Sequence, residues 1–83
     1  IIMYEAVHGA PLGRKLREAR RARSIKQQQV ADYLGIERST YSYYETGKSL
    51  PPIPALYKLS KLFDISADEL IKPDLVSTDG LSA

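Results

Sequence analysis

Two glycines, Gly35 and Gly47, do most to limit what this chain can fold into. Glycine readily takes the left-handed conformation in which helices end. Each of the two closes a short segment with helical spacing. The first such segment runs from about Lys26 to Leu34, with Val30, Ala31 and Leu34 as its inward stripe. The second begins after Ile36-Glu37 and stops at Gly47. The loop Ser49-Leu50-Pro51-Pro52 follows, and consecutive prolines cannot continue a helix. The middle of the chain is therefore two short helices joined by a tight glycine turn.

The flanks are helical as well. Gly9-Ala10-Pro11 punctuates the chain before a first helix of about Leu12 to Arg23. Leu12, Leu16 and Ala19 recur on one face of it, and Arg14, Lys15, Arg17, Arg21 and Arg23 line the other. That basic face reads as mainly solvated. A fourth helix is expected over Ile53 to Phe63, with Leu56, Leu59, Leu62 and Phe63 inward. Pro54 is acceptable because it falls in the first turn. Ser66 stands three residues before Glu69, the spacing of a capping box, and starts a short fifth helix carrying Leu70 and Ile71 that Pro73 closes. The expectation is an all-α, five-helix domain over residues 12–71, with an N-terminal arm over 1–11 and a flexible polar tail over 72–83. At 83 residues the chain can bury one core and not two.

Composition removes several functions. With no Cys, disulfides and thiolate zinc sites are excluded. His8 is the one histidine and has no ligand-type neighbours, so neither a metal nor another cofactor is expected. Asp68 and Glu69 read as helix-start charges rather than a catalytic pair. No Gly-rich phosphate loop is present, and an enzyme is not expected. No apolar run approaches the roughly 18 residues of a membrane span. Ile1-Ile2-Met3-Tyr4 is too short for a signal peptide. Charge is distributed unevenly: residues 1–50 hold nine Lys/Arg against five Asp/Glu, and residues 51–83 hold three against five. The basic excess lies in the half that contains the central helices, most of it on the first helix, which suits a polyanionic partner. The absence of Cys allows a reducing cytoplasm, and a cytoplasmic, nucleoid-associated protein is expected.

Two short helices joined by a tight turn form a helix-turn-helix, whose second helix can lie in the DNA major groove while the first crosses the backbone. Helical geometry sorts the second helix. With Arg38 at zero and about 100° per residue, Ser42, Thr46, Ser39 and Tyr43 fall within the next ~140°. Tyr41, Tyr44 and Glu45 occupy the remaining arc, and Thr40 sits near the boundary. Arg38 can donate two bonds to guanine, Ser39 and Ser42 suit either base type, and Tyr43 can reach a phosphate or a thymine methyl. Gln27 and Gln28 stand at the first helix's N-terminus, where free N–H groups favour an anion. Lys48 and Ser49 follow the second helix and can clasp another backbone region.

These residues resemble a known family. Leu12-Gly13-x-x-Leu16-Arg17-x-x-Arg20 is followed by Gln27-x-x-Val30-Ala31-x-x-Leu34-Gly35-Ile36 and then by Ser39-Thr40-Tyr41-Ser42-x-Tyr44-Glu45-x-Gly47-Lys48. With Pro51 and Leu56-x-x-Leu59, the series resembles the Xre/phage-repressor helix-turn-helix family over about Leu12 to Ile71. The resemblance implies a lambda-repressor-like fold and a homodimer that binds a palindromic operator in double-stranded DNA as a transcriptional regulator and repressor. It implies Gln27 at the DNA backbone and adjoining bases, and Arg38, Ser39 and Tyr43 at base edges. It also implies an Arg20–Glu45 ion pair between the first and third helices. A partly buried carboxylate at Glu45 independently calls for a cation.

Four positions depart from the family pattern. Lys26 stands in place of a Ser or Thr cap, Ser24 in place of Gly, Tyr41 in place of Ile or Val, and Pro52 in place of a polar cap. A competing reading is an antitoxin-like or adaptor module. There the apolar segment Ile1 to Val7, in the N-terminal arm, would meet a protein partner or serve as a dimer arm.

Overall fold

The computed structural model describes residues 9–72. Most of the expected arm, with Ile1 to Val7 and His8, and the tail from Pro73 onward lie outside the described residues. Five helices follow one another: α1 Gly9–Ala22, α2 Gln27–Leu34, α3 Arg38–Thr46, α4 Ile53–Phe63 and α5 Ala67–Ile71. No strand occurs among the described residues.

The first helix begins earlier than its sequence suggests. Gly9-Ala10-Pro11 was expected to stand before the helix and instead forms its first turn. First-turn N–H groups have no acceptor within a helix, so a proline there forfeits no bond. Pro54 uses the same allowance near the start of α4.

One device ends three of the helices. Ser24, Gly35 and Asp64 all adopt left-handed backbone, at φ 54°, 73° and 55°. In each case the next residue is an isoleucine whose N–H reaches back to a helix carbonyl: Ile25 to Arg20, Ile36 to Ala31 and Ile65 to Ser60, at 3.0–3.1 Å. All three isoleucines pack against the core. The left-handed residue turns the chain, satisfies two terminal carbonyls and drops an apolar side chain inward. Ser24 fills the position where glycine is usual, and as a residue with a Cβ it does so at a local conformational cost.

The helix starts vary more. Ser66 Oγ accepts from the Glu69 N–H at 3.1 Å and caps α5. Lys26 has no acceptor to offer α2, because an ammonium only donates. Gln29 supplies the reciprocal half of the cap, its Oε1 accepting from the Lys26 N–H at 2.8 Å.

The core draws on every helix. Leu16 from α1, Val30 and Ala31 from α2, Tyr41 from α3, Leu59 and Phe63 from α4 and Leu70 from α5 are all fully buried. Each large member contributes about 1.5–3 kcal/mol through burial. α1 and α3 cross closely at Gly13. A Cβ added there would lie 2.2 Å from the Glu45 carbonyl oxygen and 2.7 Å from that of Tyr44. The glycine is thus a spacing requirement: α3 rests backbone-on-backbone against α1.

Two basic residues of α1 bind helix ends. Lys15 Nζ donates to the carbonyls of Glu69 and Lys72, at 2.9 and 2.7 Å, at the C-terminal end of α5. Arg23 donates to the Ala19 carbonyl at 2.9 Å and to the Phe63 carbonyl that ends α4. Its guanidinium also stands 5.8 Å from the Phe63 ring centre. Cations are favoured where helix carbonyls are left unpaired. Two members of a face expected to be mainly solvated therefore tie α1 to α4 and α5, while Arg17 and Arg21 remain exposed.

Candidate nucleic-acid interface

The inward face of α3 is closed. Tyr41 and Tyr44 are buried, with rings edge-to-face at 6.2 Å between centres. Beside them Glu45, a carboxylate with only 3% of its surface exposed, receives two bonds from Arg20: Nε to Oε2 at 2.6 Å and Nη2 to Oε1 at 3.1 Å. A guanidinium matches a carboxylate in this forked geometry. Arg20 spends a further donor on the Ile25 carbonyl at 2.9 Å, which fixes the turn between α1 and α2. Burial works to raise the Glu45 carboxyl, but hydrogen bonds led by Arg20 outweigh it and hold it below the usual carboxylate range. The same bond to Glu45 holds Arg20 above its ordinary value. The Tyr41 phenol is pushed well up by burial, with the Glu45 carboxylate adding to the effect. Its hydroxyl has no hydrogen-bond partner among the described residues.

The outward face is open. Arg38, Ser39, Tyr43 and Thr46 are exposed, and Thr40 and Ser42 half-buried. An open cleft beside the start of α3 is lined by Gln28, Gly35, Ile36, Glu37, Arg38 and Ser39. Gln28 contributes to that wall while its Nε2 bonds to Asp32 Oδ1 at 2.9 Å, one turn along α2. Glu37, absent from the sequence-level candidates, places an acidic side chain in the same cleft. Its position just ahead of α3 marks it as a neighbour of Arg38, but nothing in its spacing distinguishes it from an ordinary solvated residue.

At the far end of α3 a second cluster forms. Lys48 Nζ lies 5.3 Å from the centre of the Tyr43 ring. The Tyr43 carbonyl accepts from Thr46 Oγ1 and from the Ser49 N–H, both at 3.3 Å. Lys48 and Ser49 are both exposed. Gly47, left-handed at φ 85°, folds the chain back so that these groups flank the outward face. Gln27, half-buried, joins the two faces: its Nε2 donates to Glu45 Oε1 at 3.0 Å and its Oε1 accepts from Arg38 Nη1 at 3.1 Å. The geometry thus gathers Arg38 with Gln27, Gln28 and Ser39 at one end and Tyr43 with Thr46, Lys48 and Ser49 at the other. Arg20 and Glu45 lie behind them. A ridge of donors between two flanking clusters can follow a groove and touch both of its edges.

No cluster of His, Cys, Asp and Glu suited to a metal ion is found among the described residues. None of their helices is long and apolar enough to cross a membrane.

The chain was compared with known proteins. A helix-turn-helix family model matches residues 16–70. The SPbeta prophage-derived HTH-type transcriptional regulator YonR of Bacillus subtilis is 42% identical over 60 residues, which are 72% of this chain and 56% of the relative. The transcriptional repressor RstR of a cryptic CTXphi phage in Vibrio cholerae is 39% identical over 56 residues, 68% of this chain and 50% of that one. This chain therefore spans about half the length of both relatives. Among solved structures, the restriction-modification controller protein C.AhdI from Aeromonas hydrophila superposes with a TM-score of 0.67 at 31% identity, over 74% of this chain and 92% of that one. The glycine turn between α2 and α3, the ordered series of five helices and the matched residues lead to one assignment: the chain belongs to the helix-turn-helix family of Xre/phage-repressor type.

Proposed function

We propose that the chain binds double-stranded DNA sequence-specifically through the outward face of α3 and acts as a transcriptional repressor. The observation that carries this reading is the division of α3 into an inward face tied to α1 through Arg20 and Glu45 and an outward face left open with Arg38, Ser39, Tyr43 and Thr46. Arg38 and Ser39 read base edges, with Thr40 and Ser42 behind them; Tyr43, Thr46, Lys48 and Ser49 hold the phosphate backbone beyond. Gln28 approaches the backbone from α2. The protein works as a homodimer whose two α3 helices meet half-sites about 34 Å apart on a palindromic operator. Regulation rather than enzymatic chemistry is its role, in the cytoplasm and at the nucleoid. Support for repression comes from the likeness to the phage repressor RstR.

Selection of duplexes from a random pool tests the reading. The expected result is an enriched inverted repeat with half-sites about one turn apart, bound with an affinity that falls steeply with salt. Enrichment of no sequence over random competitor would remove the proposal.

A further inference from the structure

Glu37 is an exposed acid that the fold does not use. Among the described residues its carboxylate makes no hydrogen bond and no ion pair. Glu18, Asp32 and Glu69 are exposed as well, but each meets a neighbour one turn away: Arg14 at 3.8 Å, Gln28 at 2.9 Å and Lys72 at 3.9 Å. Glu37 stands directly ahead of α3 in extended backbone, at φ −76° and ψ 150°. Its carbonyl accepts from the Tyr41 N–H at 3.2 Å, but its side chain does not cap the helix. That position favours Ser, Thr, Asp or Asn, whose short side chains bond to the first turn, as Ser66 does for α5. The glutamate therefore brings α3 no cap and no ion pair.

Its surroundings point to a use outside the fold. Glu37 lines the open cleft together with Arg38, Ser39 and Gln28. From Gly35 to Ser49 the sequence holds one other acid, Glu45, and that one is buried. A negative charge on a face that meets DNA is repelled by phosphates and weakens general attraction. Base edges differ, because some of them carry donors. The first residues of a recognition helix lie against those edges. A carboxylate can only accept. In the major groove guanine presents two acceptors, and thymine an acceptor and a methyl group. Adenine sets the acceptor N7 beside its amino group. Cytosine alone presents a donor, N4, with no acceptor next to it. Arg38, which has only donors, asks for the opposite base, guanine.

We propose that Glu37 is a specificity-determining residue whose carboxylate accepts from the N4 amino group of a cytosine and turns away bases that present acceptors. The proposal rests on the DNA-reading role given above to α3. Much of the effect is rejection. On a wrong base the carboxylate loses its water and gains no donor, so the wrong duplex is penalised more than the right one is favoured. General affinity is given up for discrimination at one base pair.

A duplex selected from a random pool, with each base pair changed in turn, tests this. Binding is measured for the wild type, Glu37→Ala and Glu37→Gln, and melting curves verify that the variants are folded. One position of the selected site should be a cytosine at which Glu37→Ala loses discrimination, on the order of tenfold. The loss should come mainly from tighter binding to the wrong bases. Glu37→Gln should shift the preference there toward adenine, because an amide can pair with adenine N6 and N7 together. Equal tightening on every duplex, with the preferred base unchanged, would make Glu37 a source of phosphate repulsion only and overturn the proposal while the reading role stands. No change on any duplex would overturn it in the same way. If the wild type selects no duplex, the reading role fails and this proposal fails with it.

Discussion

The two faces of α3 are built by different means from residues that alternate along nine positions. Inside, Tyr41, Tyr44 and Glu45 are buried and held by ring packing, a close backbone crossing at Gly13 and a forked ion pair. Outside, Arg38, Ser39, Tyr43 and Thr46 touch little, and the contacts they make are exposed hydrogen bonds and one cation–ring approach. The inner face decides where the helix lies. The outer face is free to vary without disturbing the fold. A recognition helix needs this separation, because a reading side chain that also carried stability could not change its target without unfolding the domain.

The comparison can be broken most severely at Glu45. Glu45→Ala should cost about 3–5 kcal/mol of folding stability, since it leaves the Arg20 guanidinium, 12% exposed, without its carboxylate. Urea denaturation measures this. The same interaction carries a pH dependence of known sign. The folded carboxyl titrates below the ordinary range, so its contribution is fully present above the unfolded value of about 4.3 and is lost as pH falls through the folded value. Stability of the wild type should therefore fall in acid below that point, and the slope of Glu45→Gln should be shallower there.

Next in size is Gly13→Ala, expected to cost about 3 kcal/mol by forcing α1 and α3 apart. Both faces should suffer together, because the helix moves as a unit. Arg38→Ala should act on the other side only. Stability should stay within about 0.5 kcal/mol, while binding to a selected duplex weakens by about 1–3 kcal/mol at one base pair. The smallest expected effect is Tyr41→Phe. The hydroxyl is buried with no hydrogen-bond partner among the described residues, so its removal should leave stability unchanged or raise it by up to about 1 kcal/mol in a thermal melt. A loss of 2 kcal/mol there would show that the phenol has a bond and that the inner face is more polar than described.

Much of this was legible from the sequence because it is local. Gly35 and Gly47 stop their helices, Ser66 caps α5, and the third and fourth helices occupy the segments that spacing and proline positions indicate. The start of α1 was misread because a proline looks like punctuation, although its missing N–H matters little in a first turn. Ser24 looked like a departure from a glycine position. The chain meets it by placing serine in the left-handed conformation, with the capping bonds intact. Contacts between distant residues were not legible from spacing, and the Arg20–Glu45 pair was implied only by the family resemblance and the odd charge at Glu45. Lys15 and its acceptors on α5 are 54 and 57 residues apart, and no periodicity relates them. At the candidate site, Glu45 stands out as the odd charge on the inward arc. That its Oε1, already bonded to Arg20, also receives Gln27, 18 residues earlier on another helix, depends on the crossing of α2 and α3 and leaves no mark in spacing.

The most direct test of the division between faces measures folding and binding on the same two variants, Arg38→Ala and Glu45→Ala. Urea denaturation gives stability, and titration against a selected duplex and its single-base-pair changes gives specificity. Arg38→Ala should keep wild-type stability and lose discrimination at one base pair, and Glu45→Ala should lose several kcal/mol of stability. If Arg38→Ala instead lost stability and kept full discrimination, the outward face would not be the reading face.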